Sequence, residues 1–330
     1  MDSTWNYYLI YNYIKYFWSE TVVDRLNRHG IHVLQFSDER ITKYAGKAII
    51  PRDETNKIIY DLIMSEEPFM VSRLGGVEAE YLTSCLGMSK NHKAWALDMM
   101  CSNAGFFPHD MALCDEFALL YAKCVGQMDL CGIWRYFMED YLLYKYAPET
   151  KLTILEFLEP WRVADGGRPW SSALQGKKVL VVHPFAESIE HQYYKNRTKI
   201  WTNKECNGEI LPEFSLQTIK AVQSMGGNGA IGYSTWFDAL DDMTDQVENK
   251  DFDIAIVGCG AYGLPLATRI KQMGKQVIHL AGATQLMFGI MGNRWEKVPE
   301  IKKNVNEYWI RPAKSETPKC ADTIENKCYW

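Results

Sequence analysis

The stretch that decides the fold runs from Asp251 to Trp295 and reads DFDIAIVGCGAYGLPLATRIKQMGKQVIHLAGATQLMFGIMGNRW. Its first part, Phe252 to Val257, is short, apolar and rich in β-branched residues, which is typical of a strand buried on both faces of a parallel sheet. Gly258, Gly260 and Gly263 then form a GxGxxG pattern. Glycines at such a turn let backbone amides and a helix N-terminus approach an anion, so the stretch predicts a nucleotide site.

The same stretch argues against a dinucleotide. A dinucleotide-binding fold places an acidic residue at the end of the next strand, where it holds the ribose. The next predicted strand, Gln276 to Leu280, is followed by Ala281 and Gly282 and brings no such acid. An NAD(P)-dependent oxidoreductase stays one alternative. A purely structural role, in which the glycines only let helix and strand pack closely, stays another.

The composition is that of an ordinary globular protein. The chain has 330 residues, 47% of them hydrophobic, enough for one large α/β domain or two modest ones. A formal net charge of −5 gives no general attraction to polyanions, so nucleic acid and anionic membranes are poor partners. Nine cysteines without CxxC pairs favour reduced thiols. Because no signal-peptide or transmembrane pattern is recognisable, we expect a cytoplasmic protein.

Strands and helices alternate along the rest of the chain, which predicts a parallel sheet with helices on both faces. The predicted strands are Phe69–Ser72, Leu130–Trp134, Leu152–Phe157 and Val179–Val182. The predicted helices are Glu54–Ser65, one beginning near Val77, Asp110–Val125, Pro184–Trp201, Ser215–Met225 and Thr235–Glu248.

Three regions are expected along the chain. Residues 1–48 are predicted to form an N-terminal helical extension packed on the body, residues 49–312 a Rossmann-like domain, and residues 313–330 a tail folded back onto it. The extension is rich in aromatic residues, which predict either core packing or an exposed interaction surface. These residues are Trp5, Tyr7, Tyr8, Phe17 and Trp18.

Four segments together resemble one family. They are SRLGGVEAEYL (Ser72–Leu82), HPFAESIEHQY (His183–Tyr193), GCGAYGLPLA (Gly258–Ala267) and GATQLMFGIMGNRW (Gly282–Trp295). The combination resembles glycosyltransferases of the GT-D fold, bacterial-type enzymes of surface-glycan assembly with a single Rossmann-like domain. The resemblance covers Pro68 to Trp295. It implies transfer of a sugar from a nucleotide-sugar donor to a hydroxyl of a glycan or lipid-linked acceptor.

One position departs from the family pattern. In that family an RFGDGE-like segment supplies an Asp-x-Glu acidic pair for donor and metal binding. The aligned segment here runs from Arg73 to Glu78 and has Gly76 where the aspartate belongs. The resemblance implies Mn²⁺ or Mg²⁺ with Glu78 as a ligand, but one carboxylate is a poor site for either ion unless other oxygens complete it. A non-catalytic module that binds nucleotide sugars is therefore a further alternative.

Polar residues and glycines follow four of the predicted strands. In a parallel sheet the carboxyl ends of the strands lie together at one edge, and ligands bind there. Because a departing pyrophosphate needs its charge stabilised, cations and glycine turns there are candidates. The predicted donor-binding residues are Arg73, Gly75, Gly76, Gly258, Gly260, Tyr262, Gly263, Gln285 and Arg294, with Arg197, Lys199 and Trp295 as further candidates. The predicted catalytic residues are Glu78, His183 and Glu187, each of which also has a structural explanation as a helix-end acid or a hydrogen-bonded core residue.

Overall fold

The computed structural model describes residues 3–18, 22, 25, 41–164, 166–202, 207–226, 232–318, 321 and 328–330. Within these residues, nine strands form a single sheet. The strands are β1 (Lys43–Tyr44), β2 (Lys47–Ile50), β3 (Met70–Ser72), β4 (Leu130–Ile133), β5 (Lys151–Ile154), β6 (Lys178–His183), β7 (Ser215–Lys220), β8 (Ile254–Val257) and β9 (Gln276–His279).

The strand order across the sheet is β1-β2-β5-β4-β3-β9-β8-β6-β7. β1 pairs with β2 antiparallel, and the other pairings are parallel. β3, β9, β8 and β6 are consecutive neighbours, so their carboxyl ends lie side by side at one edge. These are the four strands that precede the polar and glycine signals in the sequence. The predicted α/β class and parallel sheet are confirmed.

Helices cover both faces of the sheet. They are α1 (Ser3–Tyr16), α2 (Arg52–Met64), α3 (Gly76–Cys85), α4 (Lys90–Met99), α5 (Met111–Val125), α6 (Glu139–Tyr146), α7 (Ala186–Asn196), α8 (Asn207–Ile210), α9 (Trp236–Glu248), α10 (Gly263–Gln272), α11 (Ala283–Met287) and α12 (Pro299–Lys302). Local sequence fixes several starts. α9 begins at a capping box, in which Thr235 and Asp238 each accept a hydrogen bond from the other's backbone amide. The Asp110 carboxylate caps α5 by accepting hydrogen bonds from the backbone amides of Ala112 and Leu113.

Each central strand is buried on both faces, as its continuous apolar sequence predicts. In β6, Val179 and Val181 belong to one hydrophobic cluster, and Leu180 and Val182 belong to another. The first cluster includes side chains of α2, α7 and α11, and the second includes side chains of α3, α5, α9 and α10. The sheet is therefore the middle of three layers. Because helices cover both of its faces, the ends of the strands are left for a site.

One predicted element is wrong. Residues 215–225 were predicted to be a helix, but Ser215–Lys220 is strand β7, which pairs with β6 from Lys178↔Ser215 to His183↔Lys220. Leu216 and Ile219 are three residues apart, a spacing that a helix would place on one face, but in the strand they lie on opposite faces and belong to different hydrophobic clusters. Pairing of six consecutive residues with β6 decides between the two periods.

The described parts of the N-terminal extension lie against α6. Trp5 is buried with its ring edge-on to Tyr141, at 5.0 Å between centroids. The Asn12 side-chain amide donates to the Asp140 carboxylate at 2.9 Å. Tyr7, Phe17 and Trp18 are exposed, so this aromatic segment divides between core packing and an open surface. Most of residues 19–40 fall outside the described residues, and so does that part of the predicted extension.

The described residues of the tail contact the body. The Glu316 carboxylate accepts hydrogen bonds from the backbone amides of Glu187 and Ser188, in the first turn of α7. Trp330 is buried, and its indole nitrogen donates to the Glu316 carbonyl at 3.2 Å. Among the described residues, the helices are too short or too polar to cross a bilayer.

Candidate active site

A pocket of about 430 Å³ opens at the carboxyl edge of the central strands. Its volume lies within the roughly 300–1,000 Å³ that is usual for small-molecule sites. Residues that follow β3, β4, β6, β8 and β9 line it, together with residues of the tail. Most of the predicted site residues are among them, namely Arg73, Gly75, Gly76, Glu78, His183, Gly258, Gly260, Gln285 and Arg294.

Arg73 follows β3 and is the cation at the centre of this edge. Its guanidinium stacks over the Trp134 ring at 4.5 Å, and its Nε donates to the Leu74 carbonyl at 2.9 Å. These two contacts fix the plane of the guanidinium while leaving the buried Nη2 without a hydrogen-bond partner. Within the described residues, Arg73 makes no ion pair with a carboxylate. The side chain is therefore an oriented positive charge with an unused donor, which is the form of site that binds phosphate.

Glu78 lies in the first turn of α3 and is 8% exposed. Its carboxylate packs directly over Gly75, where an added Cβ would come within 2.0 Å of Oε2. Burial raises the pKa of Glu78, and its own backbone amide and the charge of Arg73 oppose that rise. A carboxylate with a raised pKa holds a proton more firmly than an exposed one, so it is suited to remove a proton from a hydroxyl group.

His183 ends β6 and is buried, and this burial lowers its pKa to about 3. The imidazole is therefore neutral near pH 7 and carries one proton. Nδ1 accepts a hydrogen bond from the Phe185 amide at 3.0 Å, so the proton is on Nε2. With its only lone pair engaged, His183 presents a neutral N–H donor to the pocket. Of the two roles that the sequence left open, the geometry favours contact with a phosphate oxygen over action as a base.

A second buried histidine, His279, ends β9 and also lines the pocket. Its Nδ1 shares a hydrogen bond with the Ser72 hydroxyl at 2.9 Å, and its buried Nε2 has no partner. Burial lowers the pKa of His279 to about 3, with a smaller contribution from the charge of Arg73. His279 lies inside the predicted strand Gln276–Leu280, where nothing in the sequence distinguishes it from a core residue.

Two glutamine side chains add unsatisfied polar atoms to the same pocket. Gln285 is fully buried, and its amide nitrogen donates to the Ile290 and Tyr329 carbonyls while Oε1 has no partner. Gln223, which follows β7, has a buried Nε2 without a partner. Buried polar groups in folded proteins normally find hydrogen bonds. Four that do not, on Arg73, His279, Gln223 and Gln285, line this one pocket.

The glycines after β8 serve different purposes. Gly260 has φ +58°, a left-handed conformation that glycine adopts without strain, and an added Cβ there would lie in ordinary contact with the Ala104 carbonyl, at 3.7 Å. An added Cβ on Gly258 would meet the Ala281 carbonyl at 2.5 Å, and one on Gly263 would meet Nε2 of His279 at 2.2 Å. Gly263 is therefore a packing position beneath the pocket, as the structural interpretation of the glycine pattern predicts.

Tyr262 and Glu187 do not line the pocket. The Tyr262 ring is 2% exposed and stacks on Trp236 at 4.8 Å, while its hydroxyl lies 3.0 Å from that of Ser224. The sequence predicted Tyr262 as a donor-binding residue, whereas the ring on which it stacks is a core tryptophan. Glu187 is an exposed residue that pairs with Lys220. Its position at the start of α7 agrees with the helix-end explanation.

The additional cations divide in the same way. Arg294 lines the pocket, with its guanidinium over the Tyr329 ring at 4.9 Å. Arg197 pairs with Glu213 at 3.7 Å, and Lys199 lies over the Tyr308 ring at 4.9 Å. Neither Arg197 nor Lys199 is part of the pocket lining.

Comparisons with known proteins give a likeness of fold. Two solved structures of the domain of unknown function 1792, one of them of selenomethionine-substituted protein, are similar to this chain with TM-scores of 0.40 and 0.41. Each is 11% identical to it, over 79% of this chain and 94% of the other. That domain is described as highly conserved and as having a distinct glycosyltransferase fold. No family model and no curated protein matches the sequence.

Sequence reasoning missed the aromatic wall of the pocket. Trp134 and Tyr136 come directly after β4, and Tyr329 and Trp330 come from the tail. The position of the first pair was accessible, because Leu130–Trp134 was predicted as a strand and its carboxyl end belongs to the same edge. The second pair had only one signal, namely that two large aromatic residues are costly to leave exposed.

The pocket residues do not fit the divalent cation that the family resemblance implies. Glu78 is the one carboxylate among the described residues that line the pocket. The described part of the chain contains no cluster of three or more His, Cys, Asp and Glu side chains that could hold a metal. At Gly76, where the family has aspartate, an added Cβ would lie 2.9 Å from the Tyr136 ring. The aromatic ring fills the space that a second carboxylate would need.

Proposed function

We propose that this protein is a glycosyltransferase that moves a sugar from a nucleotide-sugar donor to a hydroxyl group of a glycan or lipid-linked acceptor. One observation carries the proposal. An oriented arginine and a buried carboxylate with a raised pKa, both following β3, converge on one pocket with a neutral histidine donor at the end of β6. The sequence resemblance to GT-D glycosyltransferases narrows this chemistry to sugar transfer.

In the proposed reaction, the acceptor oxygen forms a bond to the anomeric carbon while the bond from that carbon to the phosphate oxygen breaks. The electron pair of the broken bond stays on the departing nucleoside diphosphate. The proton of the acceptor hydroxyl goes to the Glu78 carboxylate, which acts as the general base. Arg73 and the Nε2–H group of His183 stabilise the charge that develops on the phosphate.

The remaining unsatisfied groups suit recognition of the donor. The Gln285 carbonyl oxygen is an acceptor, and the Gln223 amide nitrogen is a donor, so together they match the mixed hydrogen-bonding edge of a base or a sugar. Trp134 and Tyr136 offer aromatic faces at the pocket. We place the reaction in the cytoplasm, in polysaccharide biosynthesis. The seven cysteines in the described part of the chain are free thiols, as expected in a reducing compartment.

The test is a panel of common UDP-, GDP- and CDP-sugars with the purified protein. We expect saturable binding of one donor in calorimetry and slow release of its nucleotide, both weakened by Arg73→Ala. The matched control is Arg197→Ala, because Arg197 pairs with Glu213 outside the pocket. A panel in which no donor binds or turns over would contradict the proposal.

Two alternatives have their own outcomes. Tight binding of NADH or NADPH, measured by fluorescence titration, would favour an oxidoreductase, although β9 ends in His279 with no acid for the ribose. A binding module without catalysis would bind the donor and show no transfer in the wild type, and Glu78→Gln would change neither result. The presence of Glu78 in the pocket favours the enzyme.

A further inference from the structure

We propose that the pocket binds the diphosphate of its donor without a divalent cation, with the guanidinium of Arg73 as the main counter-charge. This inference rests on the proposed function, because it names the counter-ion that the same site uses. It concerns the part of the family resemblance that this chain does not share.

Among its described lining residues, the pocket lacks the second carboxylate that such a cation needs. Mg²⁺ is held by hard oxygen ligands in near-octahedral geometry. In proteins these ligands usually include one or two carboxylates together with oxygens of the substrate phosphates. Within the described residues, the pocket offers Glu78 alone, and its carboxylate is folded back over Gly75. Because burial raises the pKa of Glu78, its charged form is already disfavoured. One carboxylate in that state is a poor anchor for a metal.

The place of a second carboxylate is occupied by an aromatic ring. Tyr136 lies so close to Gly76 that three of its ring carbons would be 2.9 to 3.2 Å from an added Cβ. An aspartate at this position would require the ring to move. Glycine at position 76 and the position of the Tyr136 ring therefore depend on each other. Restoring an aspartate would require Tyr136 to move as well as Gly76 to be replaced.

Arg73 has the properties of a replacement for the metal. Its Nη2 is buried without a partner, and the Trp134 ring and the Leu74 carbonyl hold the guanidinium in place. A fixed positive charge at this point attracts phosphate and repels a divalent cation. Guanidinium also matches the spacing of two phosphate oxygens, which gives binding and orientation at once.

Further donors extend this cationic edge. His183 presents its Nε2–H group to the same pocket from the end of β6, which β9 and β8 separate from β3, and Arg294 lines the pocket from the segment after β9. A neutral imidazole contributes a hydrogen bond without the pH dependence that a charged one would bring. Arginine and uncharged donors together provide the charge stabilisation that sugar transfer requires.

The experiment is calorimetric titration of the protein with UDP, GDP and CDP, in one buffer with EDTA and in another with Mn²⁺ or Mg²⁺. We expect one of the three to bind with the same Kd in both buffers. Arg73→Ala should weaken that binding by about 10- to 100-fold, the usual worth of a hydrogen bond to a charged group. Arg73→Lys should restore part of the loss, and Arg197→Ala should leave the Kd unchanged.

The outcomes separate the inference from the proposed function. Binding that requires Mn²⁺ or Mg²⁺ would overturn the inference and leave the proposed function standing. Uptake of Mn²⁺ together with the nucleotide would do the same; it would be seen in electron paramagnetic resonance as a loss of the free Mn²⁺ signal, with wild-type protein and nucleotide, that exceeds the loss caused by the nucleotide alone. Failure of all three nucleotides to bind in both buffers would overturn the proposed function and the inference with it. The resonance measurement needs no variant, so it decides even if Arg73→Ala does not fold.

Discussion

Two glycine turns lie at the same sheet edge, after β3 and after β8, and they do different work. The turn after β8 has the GxGxxG pattern, yet Gly258 and Gly263 are there because neighbouring atoms leave no room for a side chain. The turn after β3 is less conspicuous in sequence and brings Arg73 and Glu78 to the pocket. The GxGxxG turn after β8 therefore shapes the pocket, and the turn after β3 supplies its charged side chains.

The sharpest test of this difference is Glu78→Gln in the β3 turn. The substitution keeps the size of the side chain and removes the base, so we expect transfer to slow by about 10²- to 10⁴-fold, with little change in donor affinity. Because burial raises the pKa of Glu78, the acid limb of the wild-type rate profile should lie above the usual range for glutamate.

The control for Glu78→Gln is Glu80→Gln on the same helix. Glu80 is also buried, but it lies 2.6 Å from His92 and is not part of the pocket lining. Steady-state rates of the two variants with the same donor and acceptor make the comparison. Equal losses in both would mean that a general disturbance of α3, and not the loss of a base, explains the effect.

In the β8 turn the largest effect should be on stability. Gly263→Ala places a methyl group against Nε2 of His279, so we expect the free energy of unfolding to fall by about 1–3 kcal/mol. Urea unfolding measures this loss. In a protein that already carries His279→Ala, the ring is gone and the added cost of Gly263→Ala should shrink. A cost that stays the same in both backgrounds would show that the close approach to His279 is not its cause.

The β3 turn has a packing feature of its own, the contact of Gly76 with Tyr136. We expect Gly76→Ala to destabilise the fold by about 1–3 kcal/mol, because the ring must move to admit the methyl group. In a Tyr136→Ala background the same change should cost less. Double-mutant analysis of unfolding gives the coupling between the two positions, and additive effects would contradict the account of why the second carboxylate is absent.

A smaller effect concerns His183, whose ring lies against the β8 turn at Gly258. Burial lowers the pKa of His183 to about 3, whereas in the unfolded chain it is near 6.5. Between these values the unfolded chain binds the proton and the folded chain does not, so stability falls as the pH is lowered through this window. His183→Asn keeps an acceptor for the Phe185 amide and removes that loss.

The expected difference is a stability slope about 1.4 kcal/mol per pH unit shallower in His183→Asn than in the wild type. Urea unfolding at several values below pH 6.5 measures it, and His191→Asn, at an exposed position of α7, is the control. Parallel slopes for the wild type and His183→Asn would contradict the buried neutral state of His183.

The smallest effect is expected from Tyr262→Phe, inside the GxGxxG pattern. The ring would still stack on Trp236, and only the hydrogen bond with Ser224 would be lost. We expect a loss of about 1 kcal/mol in unfolding and no change in donor affinity. A large drop in donor affinity would instead show that Tyr262 contributes to donor binding.

The sequence predicted the sheet and the edge better than it predicted the site. Buried strands such as β6 and β8 are continuous apolar runs, and this local signal suffices to place their carboxyl ends together. Tyr136 was accessible in this way from its position after β4, but Tyr329 was not, because it reaches the pocket from a tail that has no periodicity. The sequence also does not show which groups a side chain contacts. Tyr262 was therefore predicted to contact the donor, and the absence of a carboxylate partner for Arg73 among the described residues could not be foreseen.

The most direct test of the account is a crystal structure of the protein with UDP, GDP or CDP, whichever binds in calorimetry. The account predicts the diphosphate in the pocket, with an oxygen within hydrogen-bonding distance of Arg73 and the β8 turn alongside. A nucleotide bound elsewhere, or one whose phosphates lie away from Arg73 and Glu78, would contradict it.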